Sequence, residues 1–129
     1  MKEVARSRTK EATILIIVFE HIVRDILARI LRTNGHKVVT CSVGSDGIRK
    51  FKKGKGKFDL VMIDGNLPGI GGWDVAKKIK KISQKTPVIL IKGWEKELDT
   101  RELKESGVDL IMSKPFYMDK TLELVENAI

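Results

Sequence analysis

Four short, continuous apolar runs constrain this chain more than any other feature: ATILIIVF at 12–19, DLVMID at 59–64, PVILIK at 87–92 and VDLIMSK at 108–114. None approaches the roughly 20 residues a membrane span needs. The first of them, Ile14 to Phe19, is short, continuous and rich in β-branched residues, as expected of a strand buried on both faces. Between the runs lie segments with helical spacing of apolar residues. Regular alternation of strand and helix with short connections implies a parallel sheet covered on both sides.

The expected elements follow from period and punctuation. Residues 14–19 read as the first strand, and Val23, Ile26, Leu27, Ile30 and Leu31 mark a helix that Gly35 ends. Residues 37–41 form a second strand. Ser45 can cap a helix running to Lys53, and 58–64 is the third strand. A Gly- and Pro-rich loop, 67–72, precedes a helix over 73–82, with Trp73 packing at its start. A strand at 87–92, a charged helix at 98–106 closed by Gly107, a strand at 108–112 and a helix at 118–129 complete the chain. Residues 1–11 read as a basic, frayed leader and 12–129 as one α/β domain.

Composition narrows the setting. Cys41 is the single cysteine, which excludes an intramolecular disulfide and suits a reducing, cytoplasmic environment. The start of the chain lacks a signal-peptide pattern. A net charge of +8 raises nucleic acid as a partner. The lysines, however, fall in separate stretches without interleaved aromatics or a DNA-reading motif, which favours a solvated surface, with no nucleic acid and no membrane as partners. His21 and His36 lie near segment ends and are expected to be exposed.

In a doubly wound sheet, ligands bind outside the carboxyl ends of the strands. Those ends carry Val18 and Phe19, Asp64, Lys92 and Lys114.

The stretches DLVMIDGNLPGIGGWDV, PVILIKGW and GVDLIMSKPF resemble the response-regulator receiver domains of chemotaxis and two-component systems over nearly the whole chain, about 13–129. The resemblance implies a flavodoxin-like fold, five parallel strands in the order 2-1-3-4-5, with Asp64 at the phosphoacceptor position and Lys114 before Pro115. It also exposes departures. The acidic pair that helps hold magnesium aligns with Val18 and Phe19; the Thr or Ser that bonds the phosphoryl group aligns with Lys92; the aromatic switch residue aligns with Ile111.

Magnesium prefers an octahedron of oxygens, and Val18 and Phe19 offer none from their side chains. Ordinary magnesium-dependent phosphorylation of Asp64 is therefore expected to fail, with no metal or cofactor at the site. Glu20, the nearest acidic substitute, is expected to begin a helix. An amine at Lys92, desolvated by Val18 and Phe19 and repelled by Lys114, would lose charge and become a nucleophile for carbonyl compounds. Asp64 would then act as general base, and Trp94 would wall a substrate pocket. The departures cluster at Val18, Phe19 and Lys92 while the apolar framework survives, so the leading expectation is an engineered, retro-aldolase-type Schiff-base site acting on a small-molecule carbonyl substrate. The alternative is a degenerate receiver serving as a phosphorylation-independent signalling module that binds a partner protein. On that alternative, Lys92 is a surface amine paired with Asp64.

Overall fold

The structure, a computed structural model, describes residues 11–93, 100–114 and 118–129, the side chains of 118 and 119 excepted. Five parallel strands, β1 (Thr13–Ile17), β2 (Lys37–Cys41), β3 (Leu60–Asp64), β4 (Val88–Lys92) and β5 (Leu110–Ser113), pair in the order β2-β1-β3-β4-β5. The central strand β3 is buried at every residue, as its unbroken apolar run requires. The described helices are α1 (His21–Thr33), α2 (Gly44–Gly54), α3 (Gly72–Ile82), α4 (Thr100–Ser106) and α5 (Met118–Ala128).

Strand alternation divides the core in two. On one face Ile14, Ile16, Val18, Met62, Ile89 and Ile91 pack with Leu27, Ala28 and Leu31 of α1 and Val125 of α5. On the other, Leu15, Ile17, Val61, Ile63 and Leu90 meet Phe51 of α2 and Val75, Ala76 and Ile79 of α3, with Leu103 of α4 against them. Each such aliphatic side chain contributes about 1.5–3 kcal/mol when fully buried. Phe58, just before β3, stacks on Phe51 at 5.9 Å between ring centroids. Cys41 is buried, and burial pushes its thiol up from the ordinary range.

Several local expectations are corrected. β1 ends at Ile17, two residues early, although the Val18 amide still donates to the Cys41 carbonyl at 3.0 Å. α2 starts at Gly44 with Val43 at its N-cap, so Ser45 lies inside the helix and caps nothing. Ile26 is 49 % exposed, because α1 turns Leu27, Ala28 and Leu31 inward instead. Residues 1–10 of the expected leader and the first two residues of the expected fourth helix, Leu98 and Asp99, lie outside the described residues.

His36 is likewise buried and not exposed. Its Nδ1 accepts the Ala12 amide at 3.1 Å, a bond only the unprotonated nitrogen can make. Burial lowers its pKa, with Glu126 and then Glu11 pulling the other way. A depressed imidazole pKa means that the unfolded chain binds the proton first, so stability rises with pH across this window. The protein is therefore expected to lose stability as pH falls below about 6.5, the free imidazole value. His36→Gln, which keeps an acceptor but cannot titrate, should flatten that slope between pH 7 and pH 5 in thermal melts; an unchanged slope would remove His36 as its source.

Candidate functional site

The site is built by the carboxyl ends of β1, β3, β4 and β5. Backbone bonds continue past the strands: the Gly65 amide donates to the Ile91 carbonyl at 2.8 Å and the Lys114 amide to the Lys92 carbonyl at 3.0 Å. Asp64, Lys92 and Lys114 therefore share one edge of the sheet.

Asp64 is only 3 % exposed. Its Oδ1 accepts the Asn66 amide at 3.0 Å, an Asx turn that fixes the carboxylate as the chain leaves β3. Its Oδ2 lies 3.7 Å from Lys114 Nζ. The same amine lies 3.9 Å from Oε1 of Glu20. Glu20 is the N-cap residue of α1 but makes no capping bond with its side chain, which leaves the carboxylate free to face Lys114. One ammonium thus stands between two carboxylates.

Lys92 does not join them. Its Nζ donates to the Gly93 carbonyl at 3.2 Å, and among the described residues it makes no ion pair with Asp64. Side-chain parity explains this. Val18 and Ile91 belong to the α1 and α5 side of the sheet, and alternation places Asp64 and Lys114 there too; Lys92, one residue past Ile91, falls to the α2–α4 side. Val18 is fully buried in the core, whereas Phe19 is 52 % exposed. Arg24 Nη1 holds the turn between β1 and α1, donating to the Val18 carbonyl at 2.9 Å and the Phe19 carbonyl at 3.0 Å. The apolar wall expected around Lys92 is therefore not assembled by Val18 and Phe19. Trp94, the other expected wall, lies outside the described residues. His21 is exposed, its Nε2 3.2 Å from Asp25 on its own helix.

Among the described residues no group of three or more His, Cys, Asp or Glu could hold a metal ion. No helix among them is long and apolar enough to cross a membrane.

Comparison with known proteins gives one answer. The family model of the response regulator receiver domain matches residues 14–126. The transcriptional regulatory protein AfsQ1 of Streptomyces coelicolor is 32 % identical over 80 % of this chain and 44 % of its own length. The sensory transduction protein RegX3 of Mycolicibacterium smegmatis is 31 % identical over 81 % of this chain and 44 % of its own. The chain spans about half the length of the curated relatives it matches, or less. Among solved structures, a receiver domain protein from Clostridium thermocellum superimposes with a TM-score of 0.84 at 29 % identity, covering 92 % of this chain and 94 % of that one.

These relatives overturn the carbonyl-chemistry expectation. They are regulators of transcription and signalling, and nothing in them supports a retro-aldolase, a Schiff-base lysine, a lyase, a small-molecule carbonyl partner or an engineered origin. The geometry agrees, since Val18 is buried on the opposite face of the sheet from the one to which Lys92 falls, and Phe19 is half exposed. Strand order, helix placement and a match from residue 14 to 126 all converge: the chain belongs to the response regulator receiver domain family.

Proposed function

We propose that this receiver domain works as a cytoplasmic signalling module that engages a partner protein without aspartyl phosphorylation. The observation that carries the reading is the arrangement at Lys114, which stands within 4 Å of both Asp64 and Glu20 while positions 18 and 19 are Val and Phe. Magnesium, which the family implies, does not fit these residues. It needs several oxygens around an open position, and the two carboxylates at hand already face an ammonium. Lys92 adds a second positive group at the same sheet edge, which disfavours a dication further.

On this reading Asp64 is a structural anion, and its ion pair with Lys114 ties β3 to the end of β5. The partner surface is β4, α4 and β5, and it includes Ile111, partly buried against the core, where the family's aromatic switch would stand.

The test is incubation with acetyl phosphate and magnesium, followed by intact mass, beside a receiver that keeps the acidic pair as positive control. No phosphoryl adduct is expected on this chain. A stoichiometric, hydroxylamine-sensitive adduct at Asp64 would overturn the proposal.

A further inference from the structure

The fold gathers charge in a way the linear sequence conceals. Segments 44–57, 72–85 and 100–109, which form or flank α2, α3 and α4, hold thirteen Lys and Arg against five Asp and Glu. That layer accounts for the whole formal net charge of +8, and the remaining residues hold twelve of each sign. All three helices cover the same face of the sheet.

The acids of the layer are satisfied locally. Asp46 pairs with Arg49, Asp109 with Lys80, and Asp74, Glu102 and Glu105 surround Lys77. Among the described residues, Lys52, Lys53, Lys55, Lys57, Lys78 and Lys81 are exposed and make no ion pair. They cluster toward the carboxyl ends of α2 and α3, which in a strand-helix-strand unit lie at the amino edge of the sheet, away from Asp64. Favourable interaction with the helix dipoles accounts for a lysine or two at each end, but not for six unpaired ones, four on two adjacent helices and two just past the end of α2.

We propose that the α2–α3 face binds the phosphate backbone of double-helical nucleic acid without reading its sequence. Packed helices lie about 8–10 Å apart, so two rows of ammonium groups would stand at a separation near the roughly 12 Å width of a major groove. Lysine is depleted from protein-protein interfaces, which argues against an acidic protein as occupant. Stable membrane attachment takes an apolar signal besides a basic one, yet Phe19, Ile22 and Ile26 lie on or beside α1, leaving Ile82 as the one large exposed hydrophobic of this face among the described residues. Among the described residues, this face also lacks the exposed aromatics on which single strands stack.

The experiment is fluorescence anisotropy of the protein with a labelled 30-base-pair duplex across a salt series. A logarithmic salt slope of about −4 to −5 is expected for five or so phosphate contacts. Lys52→Glu/Lys53→Glu/Lys78→Glu/Lys81→Glu should weaken binding at least about tenfold at low salt and flatten the slope by about 3. Arg29→Glu/Lys120→Glu, on the opposite helices, should bind nearly as the parent does. Should the quadruple reversal unfold, the same four positions changed to Gln test the slope alone. Equal weakening by the two sets, no duplex binding at low salt, or preference for phosphatidylserine vesicles over the duplex would each overturn the proposal.

Discussion

Gly72→Ala is expected to destabilise the protein by about 3 kcal/mol, at the upper end of overpacking costs, while Gly71→Ala beside it should change stability by well under about 1 kcal/mol. Gly72 is the first residue of α3, and a Cβ there would lie 2.4 Å from the Asp64 carbonyl oxygen and 2.6 Å from the Gly65 Cα. Both obstacles are backbone, so no rotamer change relieves them. α3 would have to back away from the end of β3, loosening Val75, Ala76 and Ile79 in the core. At Gly71 an added Cβ meets nothing within 4 Å, and φ is −72°, a value any residue adopts. Urea melts of the two variants decide the matter, and comparable midpoints would show that α3 does not press on the Asp64 backbone. The Gly-rich loop therefore matters for close approach, which lets a helix start directly against the strand that carries Asp64.

That close approach could not be read from the sequence, although much else could. Period and punctuation are local, so the alternation of elements, the buried strands and the loop at 67–72 were all legible from apolar spacing and from Gly and Pro. Strand order came from the resemblance and is the order observed. The site was legible only in part. Treating every strand end as one cluster ignored side-chain parity, which was available by counting residues along β4 and β5 and separates Lys92 from Lys114. Glu20 was recognised as a helix start, but its reach to Lys114 depends on how α1 docks on the sheet. The burial of His36 depends likewise on the backbone amide of Ala12, 24 positions away in the chain. The grouping of surface charge was hidden for the same reason, because stretches 50–57 and 77–81 look separate until α2 and α3 lie side by side.

Lys114→Met is expected to cost about 2 kcal/mol, less than the 3–5 kcal/mol typical of breaking a fully buried pair, because solvent reaches part of the lysine and screens the interaction. The carboxylate is the sensitive partner: the Asp64 side chain is 4 % exposed and that of Lys114 24 %. Without the amine, Asp64 keeps the Asn66 amide on Oδ1 and has no cation within 4 Å among the described residues. Removing the charge as well should relieve the penalty, so Asp64→Asn/Lys114→Met is expected to be more stable than Lys114→Met alone. Coupling of about 1–2 kcal/mol between the two positions is the signature of such a pair. Glu20→Gln, which removes the exposed second carboxylate, should cost well under about 1 kcal/mol. Denaturant melts of these three variants and of Asp64→Asn alone, which closes the cycle, measure all of this. If Lys114→Met proves as stable as the parent, Asp64 is not held by Lys114, and a free carboxylate at the phosphoacceptor position would undercut its role as a structural anion. A strong coupling would instead place Asp64 and Lys114 in a structural bond that ties β3 to the end of β5.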